Sequence, residues 1–176
     1  MKKILGLVLS LTAISAVCAG VLAYVNDLTR EPIAQMLAKK TVEAAKAVLP
    51  PEAATVEKAA FADGEEYFVG KGAGGEVVGY AVKGSDPGGY GGDVVLMVGL
   101  RADKATVVCY KTLAASETPG LGMKLNTPEF AGQFAGKGAA GLKVKKDGGE
   151  IEAITSATIT SRAVCGAIAS AAAKLK

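Results

Sequence analysis

Residues 93–113 read DVVLMVGLRADKATVVCYKTL, and this stretch decides the fold. Asp93 to Leu100 and Ala105 to Leu113 are both rich in valine, with threonine and tyrosine in the second run. Side chains branched at Cβ are stiff in a helix and pack well on a pleated surface, so both runs predict strands. Arg101 to Lys104 is short and polar, which predicts a turn between them. Consecutive strands with a tight link pair antiparallel. Their apolar density places the pair at the centre of an antiparallel sheet.

Toward the N-terminus, Tyr67-Phe68-Val69 and Glu76 to Lys83 predict a hairpin across Gly72-Ala73-Gly74-Gly75. Val56 to Phe61 predicts a short strand or loop before the Asp63-Gly64 turn. Ser85 to Gly92 (SDPGGYGG) reads as a loop. Its glycines suit a phosphate cradle, but no Lys-Ser/Thr follows and no helix starts there, which excludes a P-loop. A flexible connection is the favoured reading. Tyr90 within it lies either near a planar ligand or on the surface.

Asn26 to Pro50 predicts a helix, with Thr29 as N-cap and Glu31 and Pro32 in its first turn. Ile33, Met36, Leu37, Val42, Ala45 and Val48 keep roughly helical spacing. Pro50-Pro51 ends it. Before it, Ile4 to Val25 runs without a charge. As a helix that run spans about 33 Å, enough for a hydrocarbon core of roughly 30 Å. Signal-peptide apolar regions are shorter, and no small-x-small cleavage site follows. A retained anchor is the expectation. Lys2 and Lys3 then place the N-terminus in the cytoplasm and the domain outside.

Toward the C-terminus, Ser116-Glu117-Thr118-Pro119-Gly120-Leu121-Gly122 predicts a type II turn, with Gly120 at the position needing positive φ. Thr127-Pro128-Glu129 starts a helix over 126–137, with Phe130 and Phe134 packing on the sheet. Gly141 to Lys146 and Glu150 to Thr155 predict a second hairpin through Asp147-Gly148-Gly149. A hydroxyl cluster follows, Thr155-Ser156-Ala157-Thr158-Ile159-Thr160-Ser161, and then an alanine-rich helix over 162–174. The cluster therefore sits at a strand-to-helix junction, where unpaired N–H groups favour an anion. Thr160 or Ser161 reads as the N-cap, and Thr158 is spare.

Composition removes several classes. The chain has no histidine, so histidine triads, bases and metal ligands are absent. Cys18, Cys109 and Cys165 are far apart, which argues against an iron–sulfur or zinc site; no metal ligand set and no catalytic dyad emerges. Any redox chemistry needs an added cofactor. The net charge is +3, and Lys2 and Lys3 supply two of those charges. With no basic stripe and no tryptophan, nothing suggests a nucleic-acid surface.

Two of these segments carry a resemblance. Thr155-Ser156-Ala157-Thr158 resembles the flavinylation motif of the FMN-binding domain family, found in the G subunit of the Rnf complex and in NqrC of the sodium-pumping NADH:quinone reductase. In that family an acidic residue precedes Ser/Thr, usually Gly, then Ala, then a hydroxyl that carries FMN through a phosphoester. Here Glu152 stands where Asp is usual and Ser156 where Gly is usual. Glu117-Thr118-Pro119-Gly120-Leu121-Gly122 is similar to the family's second signature, a loop lying against the flavin.

The resemblance implies covalent FMN on Thr158, with Glu117, Thr118, Leu121, Gly122, Thr155, Ser156 and Ala157 around it. Beside the resemblance, the nearby cations Lys124 and Arg162 are candidate partners for the phosphate. The resemblance also implies an electron-transfer subunit of a membrane-bound Na⁺- or H⁺-translocating ferredoxin:NAD⁺ oxidoreductase. Its partners are the other Rnf subunits, and a flavin transferase using FAD and a divalent metal matures it. The fold expectation is α+β: an antiparallel sheet domain with flanking helices over 51–176, a connecting helix over 26–50 and a transmembrane anchor over 1–25. The rival readings are an NqrC-like subunit, an FMN carrier for another extracytoplasmic reductase, and a non-redox membrane-tethered assembly module.

Overall fold

The computed structural model describes residues 2–176; Met1, the first residue of the basic start, lies outside them. The chain divides after Lys40 into two compact units.

The first unit lies within helix α1, Lys2–Val48, which is long and apolar enough to cross a membrane. It is one helix, where the sequence suggested two. Thr29 does not cap a new start: its hydroxyl donates to the Val25 carbonyl at 2.8 Å, and Pro32 lies inside the helix. The physical reason is a comparison of losses. Pro32 removes one N–H and with it one ladder bond, to the Leu28 carbonyl. A full break would leave four donors and four acceptors without partners.

The second unit is a five-stranded antiparallel meander in the order β1-β2-β3-β4-β5: β1 Thr55–Ala60, β2 Glu66–Lys71, β3 Val77–Gly89, β4 Gly92–Arg101 and β5 Val107–Ala114. The pair read as the centre is therefore β4 beside an edge strand, and β3 is central. Part of the β5 edge is covered, because the Val107 N–H donates to the Lys137 carbonyl at 2.9 Å and the Gly136 N–H to the Val107 carbonyl at 2.8 Å. β-Branching signals a strand without signalling its place in the sheet.

The expected loop over 85–92 is also strand. β3 continues to Gly89, and only Tyr90 and Gly91 turn the chain before Gly89 pairs with Gly92. The ladder slips between Asp86 and Gly89, where Pro87 has no N–H to give and the Gly88 N–H donates to Asp86 Oδ1 at 2.7 Å. Glycine and proline mask strand character here because the irregularity is a bulge.

Both faces of β4 are covered, which explains its unbroken apolar run. Val94, Leu96, Val98 and Leu100 join the larger core with Val164 and Ile168 of α3, Thr158–Ala173. Met97 faces the other way, into a second cluster with Ala45, Val48 and Leu49. Glycines set these approaches. A Cβ on Gly84 would lie 2.0 Å from the Ala167 carbonyl oxygen, and one on Gly99 would lie 1.8 Å from that of Val48.

The end of the core is closed by short pieces. The helix expected over 126–137 is a 3-10 turn at Gly122–Asn126, helix α2 at Pro128–Ala131 and a second 3-10 turn at Gly132–Phe134. Phe130 and Phe134 are buried and meet edge to face at 5.4 Å. The expected second hairpin is not formed. A 3-10 turn occupies Lys145–Asp147, and Val144 meets Ile151 in a single parallel bridge. Both side chains are fully buried, so this segment plugs the core instead of extending the sheet.

Candidate functional site

Helix α3 begins at Thr158, four residues earlier than its sequence suggests, because the hydroxyl residues are used inside its first turn. Ser161 Oγ donates to the Ala157 carbonyl at 2.9 Å and accepts the Ile154 N–H at 2.9 Å. Thr160 Oγ1 donates to Glu117 Oε2 at 2.6 Å. Neither caps the helix. Ala157 is the N-cap residue and, among the described residues, no side chain caps the first turn, which leaves its N–H groups without that partner. Ser156, just before, has φ +63, the left-handed region that favours glycine.

The junction before α3 is a turn, not the end of a strand. The Ala157 N–H donates to the Ile154 carbonyl at 2.9 Å. The Glu152 backbone is gripped by Gln133, whose Oε1 accepts its N–H at 2.7 Å and whose Nε2 donates to its carbonyl at 3.2 Å. The Glu152 carboxylate pairs with Lys145.

Glu117 is the organising residue of the facing loop. It is 5% exposed. Besides Thr160, it accepts the Gly91 N–H on Oε1 at 3.3 Å. One carboxylate thus ties the β3–β4 turn, its own loop and the first turn of α3. Gly122 packs on this pair, since a Cβ there would lie 2.5 Å from Glu117 Oε2 and 2.8 Å from Thr160 Oγ1. The type II turn is present: the Leu121 N–H donates to the Thr118 carbonyl at 3.2 Å and Gly120 has φ +76.

These pieces enclose a cleft of about 510 Å³, inside the range of roughly 300–1,000 Å³ usual for small-molecule and cofactor sites. It is lined by Glu117, Thr118, Leu121, Gly122, Ser156, Ala157 and Thr158, with Tyr90, Ile159 and Thr160. Seven of the eight residues singled out in the sequence therefore meet at one place. Thr155 is exposed in the preceding turn and does not line the cleft.

The charges around Thr158 differ from expectation. Arg162 is held in a bidentate pair by Asp147, at 2.7 Å through both Nε and Nη2, and this partner keeps the Asp147 carboxyl below its ordinary value. The pair fastens the Lys145–Asp147 turn against α3. That turn brings Lys146 Nζ to 3.4 Å from Thr158 Oγ1. The sequence does not single out Lys146 or Ile159, and it offers Thr160 only as a helix cap. Lys146 lies in a segment read as strand, and only the contact between that turn and α3 reveals it. Burial pushes the Cys165 thiol up to about 11, so it is inert at neutral pH.

The arrangement has two ends. Thr158, the open first turn of α3 and Lys146 suit a phosphate. Tyr90, Leu121 and Ile159 give an apolar rim that suits a flat ring.

Comparison with known proteins agrees with this chemistry. Residues 89–173 match the family described as FMN-binding domain. The chain is 35% identical to the G subunit of an ion-translocating oxidoreductase complex of Methanosarcina acetivorans, over 97% of this chain and 93% of that protein. It is 36% identical to the G subunit of a Na⁺-translocating ferredoxin:NAD⁺ oxidoreductase complex of Acetobacterium woodii, over 95% of this chain and 89% of that protein. Among solved structures, Shewanella oneidensis NqrC superposes with a TM-score of 0.52 at 20% identity, covering 70% of this chain and 65% of that one, which shows a shared fold.

Proposed function

We propose a function on the premise that this chain belongs to the family of G subunits of ion-translocating oxidoreductase complexes. It is the electron-transfer subunit of a membrane-bound, ion-translocating complex of the ferredoxin:NAD⁺ oxidoreductase class, and FMN is its carrier. Bound flavin supplies the reversible uptake of electrons that the side chains of this chain lack.

The observation that carries the finer reading is Thr158. It lines the cleft at the first position of α3, with Lys146 Nζ 3.4 Å from its hydroxyl. We infer that Thr158 holds FMN covalently. A separate flavin transferase, using FAD and a divalent metal, would install it. The Thr158 Oγ–phosphorus bond forms, the pyrophosphate bond of FAD breaks, and AMP leaves with the proton lost by the hydroxyl. Lys146 and the first-turn N–H groups of α3 then hold the remaining phosphate charge. Glu117 shapes the wall through Gly91 and Thr160 rather than binding the phosphate, which its own charge would repel.

Helix α1 anchors the subunit in the membrane. Its N-terminus lies in the cytoplasm and the FMN domain on the outer face, where a covalent bond prevents loss of the cofactor. The test is purification from native membranes through a tag on this chain. We expect a yellow complex with the other subunits, and flavin that stays with this chain on a denaturing gel. A colourless chain purified alone would contradict the reading.

A further inference from the structure

We propose that the Tyr90 ring lies against the isoalloxazine of the bound flavin and sets its exposure and photophysics. This rests on the FMN reading above. Among the described residues outside α1, the exposed large apolar side chains are Val77 at 37%, Tyr90 at 72%, Leu121 at 42% and Ile159 at 47%. Three of the four line the same cleft. Such a concentration on an otherwise polar surface marks a binding site.

The turn that carries Tyr90 is also held in place. Tyr90 occupies a two-residue turn, and its neighbour Gly91 donates its N–H to Glu117 Oε1 at 3.3 Å. The other oxygen of that carboxylate accepts the Thr160 hydroxyl at 2.6 Å, one half-turn from Thr158. The turn packs closely on the loop, since a Cβ on Gly91 would lie 1.7 Å from the Ser116 carbonyl oxygen. The backbone that carries Tyr90 is thus braced to the first turn of α3, across a cleft whose polar end suits a phosphate. Leu121 and Ile159 supply edges; Tyr90 supplies the flat face, which prefers another ring.

The test uses the full chain, flavin-loaded in its native membrane complex, with Tyr90→Phe and Tyr90→Leu. A phenol in contact quenches an excited flavin by lending it one electron, which returns on relaxation with no net redox change. Phenylalanine is a far poorer donor, and the chain has no tryptophan to take over. We expect both variants to lengthen the fluorescence lifetime of the flavin they carry severalfold, read per loaded chain. Tyr90→Leu alone should also raise quenching by added iodide, since it uncovers the ring. Unchanged lifetimes in flavin-loaded variants would overturn the Tyr90 assignment and leave the FMN reading standing. Wild-type complex in which this chain bears no flavin would overturn both.

Discussion

Thr160 Oγ1 donates to Glu117 Oε2 at 2.6 Å, joining two buried side chains that lie 43 residues apart. This bond closes the cleft on one side and fixes the β3–β4 turn through Gly91. Thr160→Val leaves a buried carboxylate short of a donor, at a cost of about 1.5–3 kcal/mol. Glu117→Gln should cost less than Glu117→Ala. An amide can give its NH₂ to the Thr160 oxygen and keep its carbonyl on the Gly91 N–H. Thermal unfolding of the three variants checks this order, and equal losses for Gln and Ala would reject it.

Ser156 tests the backbone before α3. An L-residue at its φ of +63 costs roughly 1–2 kcal/mol, and glycine gives back about 0.5–1 kcal/mol of that through its looser unfolded chain. Ser156→Gly should therefore be neutral or up to about 1 kcal/mol more stable, with full flavin loading. Ser156→Val should lose about 1–3 kcal/mol. Unfolding midpoints decide it, and a stabilised valine variant would contradict the strain.

Gly84 tests how α3 sits on the sheet. With a Cβ there 2.0 Å from the Ala167 carbonyl oxygen, Gly84→Ala must push the helix away, at about 1–3 kcal/mol. Since α3 carries Thr158, flavin loading should fall as well. A variant with wild-type melting would show that the helix has room to move.

Much of this was legible in the residues and some was not. The strand character of valine-rich β4 and the positive φ of Gly120 in its turn follow from local chemistry and are present; the place of β4 in the sheet and the early start of α3 at Thr158 do not follow from it. Pro32 misled, because a proline costs one bond and a long helix tolerates that loss. SDPGGYGG misled, because a bulged strand and a loop use the same residues. The brace from Glu117 to Thr160 and the approach of Lys146 to Thr158 are long-range contacts, and no local pattern encodes them.

Acid should loosen the turn that carries Lys146. The Arg162 guanidinium beside Asp147 lowers its carboxyl below the usual range. A depressed pKa in the folded state means the stabilisation is present above the unfolded value, about 3.9. It is lost as pH falls through the lower folded value. Stability from this pair should be flat from neutral pH to about 5 and decline below about 4. Asp147→Asn should remove that part of the acid limb, as chemical denaturation at a series of pH values would show. A wild-type-like acid limb in the variant would reject the pair as its source.

Lys146 tests the phosphate end. Reversal in Lys146→Glu places a negative charge beside Thr158 and should slow flavin attachment severalfold, while Lys146→Arg keeps it near wild type. Both should melt close to wild type, because exposed single charges are worth at most about 1 kcal/mol. A time course of gel fluorescence during maturation reads the rates, and equal rates for Glu and Arg would remove Lys146 from the site.

The most direct measurement is the intact mass of the chain, co-expressed with a flavin transferase, with a denaturing gel viewed for flavin fluorescence. We expect a fluorescent band heavier than the bare polypeptide by one FMN less water. Thr158→Ala should fold, insert and show neither the mass nor the fluorescence. An unmodified wild-type mass, or covalent flavin retained by Thr158→Ala, would contradict the assignment of Thr158 as the point of attachment.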